Sequence, residues 1–279
     1  SPIQGTWVIT SFAVSTAIAL PLTGWLSRRF GDVRLFVLST LLFTLASFFC
    51  GASQSILMLI LMRGLQGIGG AILISLSFAI LGDIVPKDKM MKSMAALTAT
   101  LPVGFALGPS LGGFLISAFG WSAIFYVNVP IGLLALALSV RFPSVPITER
   151  VRKFDYPGML ILTATLTSYV LGVTLSENEG LSLRVILLFA AMVGGIVLFL
   201  IVEKRTSVPL IQLSMFKNST FSSSLAISVI LYSVLSGCGV ILPFFLQQAR
   251  EISTATSGLL MMAGPLGCAV FTPLAGTAA

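Results

Sequence analysis

Histidine is absent from this chain, and charged residues of either sign are scarce: they make up 9% of its 279 residues. A soluble domain carries roughly a quarter charged residues, so this composition excludes an ordinary soluble protein. Without histidine, any proton carrier has to be a carboxylate. The few cysteines, Cys50, Cys238 and Cys268, lie in apolar segments, where a thiol behaves as a small hydrophobic group and implies no disulfide framework.

Long apolar stretches fill the space that charges leave. Hydrophobic residues make up 56% of the chain, and nine windows are long and apolar enough to cross a hydrocarbon core as helices. Barrel strands would instead alternate polar and apolar residues over about ten positions. The sequence therefore predicts an all-α membrane protein, a polytopic transmembrane helical bundle. The predicted spans, a to i, are residues 5–26, 34–53, 57–82, 93–117, 121–140, 156–176, 182–202, 220–245 and 254–276.

The basic residues indicate how the chain is threaded through the membrane. Thirteen of the sixteen Lys and Arg residues fall in four alternate gaps between the apolar windows. Cytoplasmic loops keep an excess of Lys and Arg, so these gaps are predicted to be cytoplasmic. The net charge of +7 then faces anionic lipid headgroups rather than nucleic acid. The residues are Arg28, Arg29 and Arg34; Lys87, Lys89 and Lys92; Arg141, Arg150, Arg152 and Lys153; and Lys204, Arg205 and Lys217.

A short internal match suggests two related halves. Pro-Leu-Thr-Gly at residues 21–24 and Pro-Leu-Ala-Gly at 273–276 each end a span at the predicted cytoplasmic side, although a match this short also arises by chance. Repeats of six helices would place the second copy six spans later, but it lies eight spans later. Two inserted spans, f and g, account for the difference.

We therefore expect three regions: an N-terminal bundle at 1–140, two inserted helices at 141–218, and the start of a C-terminal bundle at 219–279. Because the chain opens at Ser1 on the predicted outer side without a signal peptide, we also expect a preceding helix and further spans after Ala279.

The loop after span a contains Gly24, Arg28, Arg29, Gly31, Asp32 and Arg34. Gly24 and Gly31 permit a tight reversal, and Arg29 is placed to bond carbonyls at a helix C-terminus. The loop resembles the hallmark cytoplasmic loop of the major facilitator superfamily. Arg28 stands where that pattern has Asp and Asp32 where it has a basic residue, a swap that would preserve an ion pair. The alternative is an ordinary positive-inside loop.

Arg63 is the only ionisable residue well inside a predicted span. A charge at this depth costs at least ~2.5 kcal/mol unless it finds partners, so Arg63 is predicted to face the bundle interior. Gln66 flanks it, and Gly67 and Gly70 share its helical stripe. In the superfamily this pattern marks the helix associated with proton coupling, a role implied for Arg63 and Gln66. The alternative is an arginine that only bonds carbonyls of another helix.

Span d carries glycines every four residues, which leave a bare face for another helix. With a proline between them they resemble the motif of the superfamily's exporters, which controls leakage along a helix interface. The residues concerned are Gly104, Gly108, Pro109, Gly112 and Gly113.

Two further patterns narrow the resemblance. Trp121, Phe125 and Asn128 to Gly132, followed by Phe154, Asp155 and Gly158, are similar to the fourteen-span drug:proton antiporters of the EmrB/QacA type. Spans a to i would be the second to tenth of that group. The resemblance implies an alternating-access exporter in the bacterial plasma (inner) membrane, with no catalytic residue, cofactor or metal. It also implies as partners the lipid bilayer, protons, a small amphipathic or cationic substrate and, in a cell with two membranes, a periplasmic adaptor protein.

The substrate site and the proton carrier follow less directly. Polar and aromatic residues of spans a and h are candidates to line a cavity, although the aromatic pair also suits interfacial anchoring. All nine acidic residues lie in loops or at helix ends, so the proton-carrying carboxylate is expected in the preceding helix. The candidate substrate residues are Thr10, Ser11, Ser15, Phe244, Phe245 and Gln247.

Two other functions fit parts of this pattern. An exporter of an endogenous metabolite or siderophore would share the fold and differ only in cargo. A non-transporting polytopic receptor or a membrane enzyme fits less well, since an enzyme would need a polar constellation near one membrane face, which the sequence does not reveal.

Overall fold

The computed structural model describes residues 2–139 and 154–252, and beyond them residues 256–257, 260–264, 266–267 and 271. Throughout this part of the chain the regular structure is helical. A 3₁₀ turn, Leu213–Lys217, precedes the last long helix, and a π-helical turn, Phe245–Ala249, follows it. The α-helices are α1 (Pro2–Phe30), α2 (Asp32–Gly51), α3 (Ile56–Ile84), α4 (Lys87–Phe119), α5 (Ala123–Tyr126), α6 (Asn128–Ser139), α7 (Tyr156–Glu179), α8 (Leu183–Arg205) and α9 (Ser219–Phe244).

Seven of the predicted spans, a to d and f to h, each coincide with one of these helices. By length and composition, five helices of the described residues are able to cross a membrane: α1 over Trp7–Phe30, α2, α3, α7 over Tyr156–Ser176, and α8. Span e differs from the prediction, because the chain breaks at Val127 into α5 and α6. Most of span i, including residues 273–276 of the internal match, and the basic loop 141–153 lie outside the described residues.

Local signals explain where several helices begin. Asp155 caps α7 by accepting a hydrogen bond from the Gly158 N–H at 2.9 Å. Ser182 caps α8 and Asn218 caps α9 in the same way. Each side-chain oxygen satisfies a backbone donor that the first helical turn leaves free. Caps of this kind place the helix starts at defined residues although the helices themselves are apolar on every side.

Contacts divide the described chain into two compact units. The first comprises Ser1–Ile80 with Ser122–Leu213, and therefore contains α1, α2, most of α3, and α5 to α8. The second comprises Leu81–Trp121 with Ser214–Ala279, and contains α4 and α9. The three-region division expected from the sequence remains a prediction.

In the first unit, α7 and α8 pack along each other, α2 packs on α5 and α6, and α1 contacts both α2 and α7. A small apolar core at the predicted cytoplasmic end consists of Leu35, Ile72, Leu76 and Ile80, with Leu26, Phe36 and Ile68 around it. Elsewhere in the unit small residues set the helix spacing. Gly132 of α6 lies directly against Thr44 of α2, and Gly195 of α8 lies against Thr165 of α7.

The closest approach of α3 to its neighbours is at a glycine. A Cβ placed on Gly67 would lie 2.5 Å from the Phe12 carbonyl oxygen of α1, whereas one on Gly70 would lie 3.5 Å or more from its neighbours. The Phe12 carbonyl belongs to a helix backbone and cannot move aside without shifting α1. The predicted small-residue stripe on this helix is therefore used for packing, most tightly at Gly67.

We expect Gly67→Ala to destabilise the protein by ~1–3 kcal/mol, the usual cost of overpacking, and Gly70→Ala to have little effect. Thermal unfolding of the two purified variants in detergent measures this difference. Equal midpoints for both variants would show that α1 and α3 do not approach as closely as described.

Candidate functional site

Arg63 is held by hydrogen bonds that join three helices. Its Nε donates to the Val8 carbonyl of α1 at 3.2 Å, and its Nη1 donates to Gln66 Oε1 at 2.6 Å. Gln66 Nε2 donates in turn to Ser47 Oγ of α2 at 2.7 Å, and Ser47 Oγ donates to the Phe43 carbonyl at 2.7 Å. We call these groups the Arg63 network. Arg63 therefore faces the interior of the unit, as predicted.

The network is shielded from lipid by burial and by aromatic rings. Gln66 is 2% exposed and Ser47 is fully buried, while Arg63 is half-buried. The Arg63 guanidinium carbon lies 4.3 Å from the centre of the Phe12 ring and 5.8 Å from that of Phe125. Cation-π contact and carbonyl bonding both offset the cost of holding the charge away from water. Of these partners, the sequence singled out only Gln66.

A cavity of about 420 Å³ lies beside this network, between α1, α3 and α7. Ser11 and Ser15 line it, together with Gly64, which follows Arg63 in the chain. The other lining residues are the polar Thr167 and six apolar ones: Trp7, Val14, Ile60, Leu61, Val170 and Leu171. Two of the predicted substrate residues therefore share one apolar cavity, and Thr10 is not among its lining residues.

The remaining substrate candidates belong to the second unit. Phe245 and Gln247 lie in the exposed π-helical turn after α9, where the Arg250 guanidinium is 5.5 Å from the centre of the Phe245 ring. The side chain of Phe244 lies outside the described residues. A cavity that combines spans a and h thus remains a prediction.

The loop after span a is shorter than the sequence suggested. Among the described residues, Arg29 does not bond a helix C-terminal carbonyl and Arg28 does not form an ion pair with Asp32. Gly24 is an ordinary residue within α1, which continues to Phe30, and only Gly31, with φ of 83°, makes the reversal. Arg29 stacks on Trp25, with its guanidinium 5.3 Å from the ring centre. Asp32 accepts a hydrogen bond from the Ser27 hydroxyl at the start of α2, where the helix dipole stabilises its charge. Arg28 and Arg34 are exposed.

The glycines of span d lie in α4, in the second unit. Among the described atoms of that unit, none lies within 4 Å of a Cβ placed at Gly104, Gly108, Gly112 or Gly113. The side chain of Pro109 lies outside the described residues. The bare face is therefore present on α4, and its role as a moving interface is a prediction.

Two of the acidic residues that the sequence places in loops or at helix ends are buried in the structure. Asp155 at the start of α7 is 4% exposed, and Glu203 near the end of α8 is 3% exposed. Both lie at helix ends, as the sequence indicated. The cap sequence Phe-Asp-Tyr-Pro-Gly signals the helix start at Asp155, but nothing in the local pattern signals that either carboxylate is enclosed.

Membrane-length apolar helices packed around a half-buried arginine that bonds two of its neighbours define a multi-pass integral membrane protein. The sequence profile of the Major Facilitator Superfamily matches residues 1–279, and the chain belongs to that family. This confirms the predicted family and the predicted all-α membrane bundle.

The chain is similar to proteins whose names refer to drug resistance or export. It is 36% identical over 275 residues to the Multidrug resistance protein B homolog of Mycobacterium tuberculosis, covering 97% of this chain and 51% of that protein. It is 35% identical to the Multidrug export protein EmrB of Escherichia coli K12, with 98% and 54% covered. It is also 35% identical to the Putative multidrug resistance protein MdtD of Escherichia coli, with 96% and 57% covered. The chain thus spans about half the length of these relatives.

We expect Ser47→Ala to destabilise the protein by ~1–3 kcal/mol, because Gln66 Nε2 would be left buried without an acceptor. Ser77→Ala on α3 is the matched control, since the Ser77 hydroxyl bonds only the Leu73 carbonyl of its own helix. Thermal unfolding in detergent compares the two. If Ser77→Ala costs as much as Ser47→Ala, the link between α2 and α3 adds nothing to stability.

Proposed function

We propose that the protein containing this chain exports amphipathic drugs, often cationic ones, in exchange for protons by alternating access. The observation that carries the proposal is the apolar cavity beside the Arg63 network, whose lining includes Ser11 and Ser15. Apolar walls with a few polar groups suit lipophilic substrates of varied shape. The names of the relatives, which refer to multidrug resistance and export, support the same substrate class.

Within this proposal, Arg63 and Gln66 connect substrate movement to proton movement. A guanidinium does not release its proton at physiological pH, so Arg63 acts by changing partners, not by carrying the proton. Its bonds to Val8 and Gln66 are the contacts available to be exchanged. The proton carrier, a carboxylate in this scheme, would be a further partner for Arg63.

The other predicted sites have mechanical roles in this scheme. The glycine face of α4, with Gly104, Gly108 and Gly112, forms the interface that slides during the cycle. The loop with Gly24, Arg28, Arg29, Gly31, Asp32 and Arg34 forms the cytoplasmic gate. We place the protein in the bacterial inner membrane, with a periplasmic adaptor as partner in a cell with two membranes.

An exporter of an endogenous metabolite or siderophore is the second candidate. The cavity favours drug export, because its described lining is without a charged side chain, whereas a siderophore or an anionic metabolite requires fixed cationic or hydrogen-bonding groups. The growth of a deletion strain on a panel of toxic lipophilic cations, compared with its iron-limited growth, separates these functions.

We expect Arg63→Lys to lower proton-driven export of a planar lipophilic cation such as ethidium from loaded vesicles by about tenfold or more, or ~1.4 kcal/mol. Lysine keeps the charge but cannot bond Val8 and Gln66 in the same fork geometry. Substrate counterflow, which needs no proton gradient, should be retained. If export, counterflow and the unfolding temperature are all lowered in this variant, Arg63 is a structural residue only.

We expect Gly108→Leu to abolish export while the protein still inserts and folds, because the added side chain blocks a helix that must approach α4 during the cycle. Gly194→Leu is the control: it makes the same change at a helical glycine of α8 that is equally open. Ethidium efflux and membrane abundance are measured for both. Normal efflux by Gly108→Leu would contradict the moving-interface role.

A further inference from the structure

Two buried carboxylates lie at the end of the first unit where α7 begins and α8 ends. Asp155 immediately precedes α7 and Glu203 lies in the last turn of α8. The two helices are joined by a short connection and pack along each other, so the start of one adjoins the end of the other. Asp155 and Glu203 are therefore placed at the same end of this helix pair.

In each carboxylate one oxygen accepts a hydrogen bond, and the other has no hydrogen-bond partner among the described residues. Asp155 Oδ1 accepts from the Gly158 N–H at 2.9 Å, and Glu203 Oε1 accepts from the Leu210 N–H at 3.2 Å. Asp155 Oδ2 and Glu203 Oε2 are buried and have no hydrogen-bond partner among the described residues. Two charged carboxylates enclosed at one end of a helix pair would repel each other and lack solvation, which is a costly arrangement.

The described basic side chains at this end of the unit are exposed. On α8 itself, Lys204 and Arg205 are exposed, as are Arg28 and Arg29 of α1, the helix that packs on α7. Arg29 is engaged with the Trp25 ring. The described cations therefore do not supply the missing partner, whereas a single proton between the two oxygens would satisfy both.

Helix geometry indicates which residue holds that proton. Asp155 caps the N-terminus of α7, where the helix dipole and a backbone N–H stabilise a negative charge. Glu203 lies at the C-terminus of α8, where the dipole opposes one. We propose that Asp155 and Glu203 form a proton-binding site, in which Glu203 carries the proton on Oε2 and shares it with Oδ2 of Asp155.

The site binds one proton from the adjoining aqueous phase and releases it to the same phase, so no other reactant is needed. At neutral pH the folded protein holds a proton that the unfolded chain has lost. Folding stability therefore falls as pH rises, until the site deprotonates. Release of the proton would loosen the contact between the two helix ends. None of this depends on which molecule the protein exports.

The test is a pH titration of the intact protein in detergent by infrared difference spectroscopy, which detects a protonated carboxylic acid directly. We expect its band at neutral pH in the wild type and its loss in Glu203→Gln, which is isosteric with the protonated side chain and therefore folds. The same variant should remove the fall in thermal stability with rising pH. Asp83→Asn, at an exposed carboxylate, is the control and should change neither result.

Three outcomes would overturn the proposal. The first is a wild-type spectrum without the band at neutral pH. The second is a stability that rises on adding Na⁺ or Mg²⁺ in the wild type but not in Glu203→Gln, which would make the pair a metal-ion site. The third is a loss of stability in Lys153→Gln equal to that in Asp155→Asn and absent from the double variant, which would make it an ion pair with the preceding loop.

Discussion

The bonding of one arginine inside the membrane constrains the rest of the first unit. Arg63 is stable at this depth only if its donors are used, and two of them reach Val8 of α1 and Gln66 of its own helix. An amide is well suited to the second position, because Gln66 accepts from Arg63 on one side and donates to Ser47 on the other. The hydroxyl hydrogen of Ser47 is donated to the Phe43 carbonyl, so Ser47 can only accept from Gln66. The direction of donation is therefore the same along the whole chain of bonds.

Such bonds require close helices, and glycine supplies the approach. Gly67 lets the Phe12 region of α1 lie against α3, and Gly69 does the same for Phe43 of α2. Thr16 of α1 donates to the Gly67 carbonyl at 3.2 Å and adds a second polar contact at the same crossing. Between apolar helices in lipid, van der Waals packing and hydrogen bonds hold the bundle together. The charged residue and the small residues around it thus form one packing unit.

Hydropathy and charge spacing predicted most of the helices, since the 20-residue length and the loop charges are imposed by the bilayer itself. They also predicted that Arg63 is inside. They did not predict its partners Ser47 and Val8, because a hydroxyl in an apolar helix and a backbone carbonyl have no sequence signature of their role. The break at Val127 was missed for a similar reason, as the apolar composition continues through it.

The acidic residues show the same limit from the opposite direction. A carboxylate at a helix end is normally exposed. Asp32, at the start of α2, accepts a hydrogen bond from Ser27, which lies near the end of the preceding helix. Asp155 occupies an equivalent position at the start of α7 but is enclosed, because α8 ends beside it. The chain that follows Glu203 folds back and places the Leu210 N–H on the Glu203 carboxylate. Enclosure here results from packing between distant segments. Position along a helix therefore indicates which backbone groups a carboxylate can bond. Whether the carboxylate is enclosed, so that its charge becomes costly, depends on the tertiary structure.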